Sequence, residues 1–330
     1  MLDERQRGTK FVGVPVRSVL NSPATTGMGF WSLNPYVGCE FGCTYCYARE
    51  THRWAVERAS AGWAGASDVR GVEPPWLAFE RRILVKQGVA DVLARTLNPK
   101  KLAGHSLVIG TATDPYQPAE RKFRLTRQVL EQLLAYRGLS IGLITKSPLV
   151  TRDRALLVRL AERHEVSVNI SLVTLDARLA RRLEPRSPAP HARIRALGAL
   201  TGAGIHAGLL IAPIIPGLTD DRAGLSALMQ AGKAAGARYV VGSALRLGPA
   251  AKARFLPHLA REFPGLVERY HRRYGDRDSP GRDYTEALAR RLRSLQQQFG
   301  FPVAESMRRR RQLEGKQPKD GVSEHQSTLL

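Results

Sequence analysis

Residues 39–46 read Cys39-Glu-Phe-Gly-Cys43-Thr-Tyr-Cys46 and contain every cysteine of the 330-residue chain. Three thiols in one short stretch indicate a metal site. The spacing C-x3-C-x2-C, with aromatic Tyr45 before the last cysteine, favours an iron–sulfur cluster. Because cysteine-ligated clusters normally have four thiolate ligands, three would leave one iron open to a ligand that is not protein. The stretch therefore predicts a cluster with one open coordination position.

Three alternatives to an iron–sulfur cluster stay open. His52 lies six residues after Cys46 and could complete a Cys3His zinc site, although zinc ligands usually come as two separated pairs. The second alternative is a disulfide with one free thiol. The odd number of cysteines and the lack of a secretion signal make it less favoured. Chance clustering of ordinary buried cysteines is the third.

Outward from the cysteines, β-branched apolar runs alternate with segments of helical periodicity. Parallel strands joined by right-handed crossovers are typical of such a βα alternation. Six strands are fewer than the eight of a closed barrel, so we expect an α/β fold, a partial (β/α)6 TIM-like barrel. The expected strands are residues 29–34, 106–111, 139–145, 166–173, 205–215 and 238–244. The expected helices are 76–97, 126–136, one opening near Thr151, 176–183, 190–202 and 221–236.

The segments at the two ends differ from this core. We expect an N-terminal extension over residues 1–22, a core domain over 23–272, a C-terminal helical extension over 273–305 and a basic, disordered tail over 306–330. The tail contains the run Arg308–Arg311. One apolar face of the helical extension carries Tyr284, Leu288, Leu292, Leu295 and Phe299.

Charge and hydropathy restrict the partners and the compartment. The formal net charge is +22, and a field of that size attracts polyanions such as nucleic acid. The first ten residues are charged and contain no apolar signal region. The longest apolar run, Ala207 to Leu218, is broken by prolines and is too short to cross a bilayer. We therefore expect a cytoplasmic protein with no membrane contact.

The motif and the order of elements together resemble the radical SAM superfamily, in which C-x3-C-x-φ-C, with φ aromatic, follows the first strand of a partial barrel. More narrowly, Asn34-Pro-Tyr-Val-Gly-Cys39, Cys46-Tyr-Ala-Arg49 and Thr113-Asp-Pro-Tyr-Gln-Pro-Ala-Glu120 resemble the branch related to spore photoproduct lyase. Photoproduct lyases carry a further cysteine that returns a hydrogen atom to the product radical. This chain has no fourth cysteine, so the resemblance implies a relative with a different substrate.

The resemblance implies a cofactor set and a reaction. Cys39, Cys43 and Cys46 would hold a [4Fe-4S] cluster, and S-adenosyl-L-methionine would chelate the open iron. An electron from a donor such as flavodoxin or ferredoxin would cleave S-adenosylmethionine to methionine and a 5′-deoxyadenosyl radical, which abstracts a substrate hydrogen. The radical chemistry belongs to the cofactors, and the protein positions the parts and excludes water.

The resemblance also implies S-adenosylmethionine contacts at the carboxyl ends of the strands, where parallel barrels place their sites. Asp114 could contact the methionine amino group or cap a turn before Pro115, and Lys146 could pair with the methionine carboxylate or be a solvated loop lysine. Ser171 could bind a ribose hydroxyl or pack inward. Glu184 and Arg186 flank a proline and could pair with each other. The candidate cofactor-binding residues are Tyr45, Thr113, Asp114, Lys146, Ser171 and Gly217.

Two functions follow from these observations. The first is a radical SAM enzyme that acts on an unidentified substrate, with nucleic acid as a candidate. The alternative is a basic nucleic-acid-binding protein whose metal or iron–sulfur site only stabilises a loop. The response of the metal site to S-adenosylmethionine distinguishes the two.

Overall fold

The computed structural model describes residues 3–4, 8–52 and 75–303. Its strands are β1 Asp3–Glu4, β2 Lys10–Pro15, β3 Leu20–Asn21, β4 Trp31–Leu33, β5 Tyr36–Val37, β6 Arg82–Gln87, β7 Ser106–Ile109, β8 Ser140–Thr145, β9 Glu165–Ser171, β10 Ala207–Ile214 and β11 Val240–Ala244. Its α-helices are α1 Pro23–Thr26, α2 Pro75–Arg81, α3 Val89–Thr96, α4 Pro99–Leu102, α5 Glu120–Phe123, α6 Leu125–Leu133, α7 Arg154–Ala161, α8 Ala177–Leu183, α9 Pro190–Thr201, α10 Arg222–Ala234, α11 Pro249–Glu262, α12 Val267–Tyr274 and α13 Arg282–Gln298.

The larger sheet has the strand order β11-β10-β9-β8-β7-β4-β3. Strands β4 to β11 in this sheet are parallel to their neighbours, and β3 adds an antiparallel edge next to β4. The six parallel strands are the six expected from the sequence, and the order is open at both ends. The predicted partial barrel is therefore confirmed.

Burial on alternating positions explains why these segments form strands. In β9 the side chains of Val166, Val168 and Ile170 are buried, and in β8 those of Ile141 and Leu143 are buried. Branched side chains of this kind pack well on a pleated surface with helices on the other side. The carboxyl ends of the parallel strands then share one edge of the sheet, which we call the mouth.

The single helix expected over residues 76–97 is wrong, because strand β6 interrupts it between α2 and α3. Residues Arg82–Gln87 pair in parallel with β2 and antiparallel with β5, which makes a second sheet of order β1-β2-β6-β5. Ile83, Leu84 and Val85 are all buried there. Gly88, with a φ of 68°, then turns the chain into α3. The spacing of apolar residues here suits a helix as well as a strand, and pairing with β2 and β5 selects the strand.

The N-terminal residues contribute to both sheets. Strand β2 lies between β1 and β6, and β3 pairs with β4. Phe11 is fully buried in the main apolar core, so this segment packs as part of the folded body. The domain boundaries expected from the sequence stay predictions.

The C-terminal helices pack against the mouth. The hydroxyl of Tyr270 donates to the Pro216 carbonyl at 2.8 Å, and that of Tyr274 donates to the Leu245 carbonyl at 3.0 Å. These carbonyls follow β10 and β11, so α12 lies beside their carboxyl ends. The disordered tail expected over residues 306–330 lies outside the described residues. No helix in the described part is both long and apolar enough to cross a membrane.

Candidate iron–sulfur and cofactor site

The cysteine loop leaves β5 at the mouth and is fixed by backbone hydrogen bonds to two other segments. The Cys39 amide donates to the Phe79 carbonyl at 2.8 Å, and the Thr44 amide donates to the Leu183 carbonyl at 3.0 Å. Gly38 enters the loop with a φ of 87°, and a Cβ there would lie 2.9 Å from the Phe79 carbonyl oxygen. A residue with a side chain would be both strained and overlapped at this position.

A buried carboxylate lies beneath the loop. Glu80 in α2 pairs with Arg49 at 2.6 Å, with Arg186 at 2.8 Å and with Arg254 at 3.1 Å. The Arg49 side chain is 0% exposed, and it also donates to the Cys43 carbonyl at 2.7 Å. Because a buried charge is stable only when it is paired and hydrogen-bonded, Glu80 and Arg49 depend on each other and together fix the turn at Cys43.

The three thiols are free and lie near each other. Cys39 and Cys43 are buried, and Cys46 is half-buried. Burial raises the pKa of all three thiols, that of Cys43 to about 12, and the Asp114 carboxylate and the neighbouring thiolates raise the pKa of Cys39 further. The Cys43 Sγ lies 3.6 Å from the Ser187 hydroxyl. Since thiolates are the ligands that metals require, a buried, mutually repelling set of thiols suits a cationic group that removes their protons.

A second charged cluster surrounds Glu184, just after α8. Its carboxylate accepts from the Tyr45 hydroxyl, forms a buried ion pair with Arg193 and lies 3.3 Å from the Lys146 ammonium. Lys146 also donates to the Ser171 hydroxyl at 2.8 Å. Burial raises the pKa of Glu184, but the two cations outweigh it and lower that pKa to about 2. The structure thus brings together three predicted site residues, Tyr45, Lys146 and Ser171, around a carboxylate.

The expected pairing of Glu184 with Arg186 is wrong. Glu184 pairs with Arg193 and Lys146, whereas Arg186 reaches Glu80 beneath the cysteine loop. Residues 184–186 therefore connect the two charged clusters, with Glu184 in one and Arg186 in the other. Neither Arg193 nor Glu80 was singled out from the sequence. An arginine at helical spacing from Leu197 and Leu200 in α9 was the available signal for the first.

Asp114 and Lys146 are joined where β7 and β8 end. The Asp114 carboxylate accepts from the Lys146 amide at 2.7 Å, the Thr145 hydroxyl at 2.7 Å and the Tyr116 amide at 2.9 Å. Burial raises the pKa of Asp114, and these hydrogen bonds oppose the rise. Asp114 therefore caps the turn, which is one of its two expected roles, and it fixes the backbone that carries Lys146. Lys146 is half-buried and not a solvated loop residue.

The other two predicted residues lie apart from this cluster. Thr113 donates to the Gly38 carbonyl at 2.6 Å and accepts from the side-chain Nε2 of Gln117 at 2.9 Å, so it supports the entrance to the cysteine loop. Gly217 lies in an exposed turn after β10, with a φ of 76°, and its amide donates to Asp220 at 2.8 Å. The roles of both residues at the cofactor stay predictions.

His52 is a core histidine in this structure. Its Nε2 lies 3.3 Å from the Arg82 carbonyl, and its ring packs edge-on against Phe79. Burial lowers the pKa of His52 to about 4. Within the described residues, no three His, Cys, Asp or Glu side chains converge to hold a single metal ion.

The low pKa of His52 predicts an acid-sensitive fold. Between pH 6.5 and about pH 4, His52 is protonated in the unfolded chain but stays neutral in the folded protein. The free energy of unfolding therefore decreases as the pH is lowered through this range. The drop attributable to His52 should be about 3 kcal/mol. Urea unfolding of the metal-free protein, compared with His52→Gln across this range, measures it. Parallel pH profiles of the two proteins would contradict the prediction.

The side chains present fit an iron–sulfur cluster with a small charged ligand. Three cysteines on one buried loop are the soft ligands that such clusters take, and they are one fewer than a closed cluster requires. A four-iron cluster is wider than one ion, so its thiolates attach at separate corners rather than converge. Lys146 and Ser171 supply a cation and a hydroxyl at neighbouring strand ends.

Comparison with known proteins agrees with this site. The family model described as the radical SAM superfamily matches residues 33–227. The uncharacterized protein Rv2578c of Mycobacterium tuberculosis is 33% identical over 290 residues, which cover 87% of this chain and 80% of that protein. The uncharacterized protein MJ0683 of Methanocaldococcus jannaschii is 30% identical over 188 residues, 57% of this chain and 61% of that protein.

Among solved structures, a mutant spore photoproduct lyase with bound AdoMet and dinucleoside spore photoproduct superimposes with a TM-score of 0.62 at 17% identity, covering 88% of this chain and 79% of that chain. Spore photoproduct lyase complexed with dinucleoside spore photoproduct gives 0.60 at 17% identity over the same shares. Identity this low establishes a shared fold and no more. The family match covers more than half of the chain and includes all three cysteines, so the protein belongs to the radical SAM superfamily.

Proposed function

We propose that this protein is a radical SAM enzyme in which Cys39, Cys43 and Cys46 hold a [4Fe-4S] cluster that binds S-adenosylmethionine. When bound, these cofactors supply a 5′-deoxyadenosyl radical after one-electron reduction. The observation that carries the proposal is a single buried loop that holds every thiol of the chain at the mouth of the partial barrel. A cytoplasmic location and an electron donor such as flavodoxin or ferredoxin belong to the same proposal.

The residues around the loop would bind and orient the second cofactor. Lys146 is a half-buried cation suited to a carboxylate, and its position is fixed by Glu184, Ser171 and the Asp114-capped turn. Tyr45 places its aromatic ring 5.8 Å from the Lys146 ammonium, and the contact of this ring with the adenine is part of the proposal. Because these side chains already hold each other, little ordering is needed when the cofactor binds.

We further propose that the substrate is a nucleic acid. The net charge of +22 favours a polyanion, and the similar solved structures hold a dinucleoside photoproduct. The chain has no fourth cysteine to return a hydrogen atom, so a reaction that differs from photoproduct repair is the better proposal. The reaction stays unassigned beyond hydrogen abstraction, with lyase and transferase classes as candidates.

Electron paramagnetic resonance tests the cofactor assignment. The protein is reconstituted with iron and sulfide without oxygen, reduced, and measured before and after addition of S-adenosylmethionine. We expect the spectrum of the reduced cluster to change, because the added amino and carboxylate groups bind its open iron. Adenosine, which lacks the amino and carboxylate groups of the methionine part, is the matched ligand control and should leave the spectrum unchanged. An unchanged spectrum, or zinc as the only bound metal, would favour the alternative of a structural site in a nucleic-acid-binding protein.

A further inference from the structure

A large basic cavity lies outside the cysteine site, between α12 and the start of α13. Its volume is about 900 Å³, and its lining includes the carboxylate of Asp283 and five arginines: Arg269, Arg272, Arg273, Arg277 and Arg282. Guanidinium groups repel each other when they converge, so such a wall is stabilised by an anion between them. The clustering indicates a site for a polyanionic ligand.

Most of these guanidinium groups have no carboxylate partner. Arg272 lies 3.7 Å from Glu268, and Arg282 pairs with Glu286 at 2.7 Å, both on exposed helix faces. Arg269, Arg273 and Arg277 form no ion pair within residues 8–52 and 75–303. These cations are therefore available to a ligand.

Arg273 carries the second, independent observation. Its Nε is buried and has no hydrogen-bond partner in the described part of the chain, although it lines the cavity. An unsatisfied buried donor is costly, so the Arg273 side chain has an unmet demand for an acceptor beside the cavity. The Arg273 guanidinium also lies 4.3 Å from the centroid of the Tyr284 ring, so a cation and an aromatic face meet there. Phosphodiester chains are recognised by such combinations of arginine and aromatic side chains.

The cavity is linked to the mouth of the barrel. Tyr284 donates to Asp220 at 2.8 Å, and Asp220 accepts from the Gly217 amide in the turn that follows β10. A Cβ on Gly217 would lie 3.3 Å from the Arg269 guanidinium. Strand β10 and the cysteine loop open to the same edge of the larger sheet. A chain bound along the arginines would therefore run beside the catalytic mouth.

We propose that this arginine cavity binds the backbone phosphates of a nucleic acid and so presents one nucleotide to the mouth. The inference rests on the proposed nucleic-acid substrate and names where that substrate is held. Arginines from α12, from the following loop and from α13 line the cavity, which suits a chain of phosphates rather than one compact anion. Guanidinium forks match phosphate oxygens in pairs.

The test measures binding of a fluorescent oligodeoxynucleotide by the reconstituted full chain over a series of salt concentrations. The variant is Arg269→Gln with Arg272→Gln, two exposed positions on α12. The matched control is Arg137→Gln with Arg238→Gln, two exposed arginines that precede β8 and β11 at the opposite edge of the sheet. Both pairs remove the same charge, so a general field effect is identical in the two proteins.

We expect the α12 variant to bind about tenfold more weakly near 0.1 M salt and its log–log salt slope to fall by about 2, while the control keeps the wild-type slope. Equal losses in variant and control would overturn the cavity as the binding site and leave the proposed substrate class standing. Displacement by inorganic tripolyphosphate as effective as by unlabelled oligonucleotide would also overturn it. Wild-type protein without salt-dependent binding would overturn both, while deoxyadenosine formation still tests the cofactor chemistry separately.

Discussion

Replacing Cys43 with alanine should reduce 5′-deoxyadenosine formation to the level of a reaction without enzyme. Cys43 is one of only three thiols, and losing it leaves two ligands for a cluster that needs three from the protein. The loss should exceed the roughly 10–100-fold effects seen when a group merely orients a metal ligand. Deoxyadenosine measured by chromatography, with iron and sulfide content in the same samples, checks the result.

The matched control for this variant is Ser187→Ala. It removes the hydroxyl 3.6 Å from the Cys43 sulfur and leaves every thiol in place, so cluster content should stay at the wild-type level. The metal-free forms of all three proteins should unfold within about 1 kcal/mol of each other, because each change removes one small atom or group. Full deoxyadenosine formation by Cys43→Ala would overturn the assignment of the cluster to this loop.

Replacing Glu80 with glutamine should destabilise the protein by about 3–5 kcal/mol. Glu80 is buried and pairs with three arginines, and Arg49 is fully buried, so the variant leaves a positive charge in the interior without its carboxylate. The same change should lower the cluster content, because Arg49 also donates to the Cys43 carbonyl. Urea unfolding of the metal-free protein measures the first effect, and iron analysis after reconstitution measures the second.

Glu262→Gln is the control that separates burial from pairing. Glu262 pairs with Arg182 and Arg261, yet these side chains are partly or largely exposed, and exposed pairs contribute about 0–1 kcal/mol. Equal destabilisation by Glu80→Gln and Glu262→Gln would show that Glu80 has no special role beneath the loop.

The sequence was sufficient for the six parallel strands, because apolar runs alternate with helical segments along the chain. It was not sufficient for β6. The positions of Phe79 and Ile83 suit a helix as well as a strand, and the pairing of Arg82–Gln87 with β2 decides between them. Strand β2 was missed altogether, although Phe11 and Val12 carry the apolar signal of a strand. Pairings between distant segments leave no local pattern.

The same distinction separates the two halves of the candidate site. Local spacing identified the cysteines, whereas the partners of Glu184 come from three separate segments of the chain. Tyr45 is 139 residues away in sequence, and Lys146 and Arg193 lie on either side. Residue chemistry at strand ends was enough to select Lys146 and Ser171 as candidates. Their contact at 2.8 Å depends on adjacent strands in the sheet, which only the fold determines.

The residues beneath the cysteine loop also determine whether the three-cysteine segment can work outside this protein. The three cysteines are close together in sequence, but their turn is fixed by Glu80, by the carbonyl of Leu183 and by Arg254 in a helix near the other end of the chain. A short synthetic peptide with the same cysteines would expose its thiols to water on every side. Grafting the motif onto another scaffold would therefore also require the buried ion pairs of Glu80, whose partners are spread from Arg49 to Arg254.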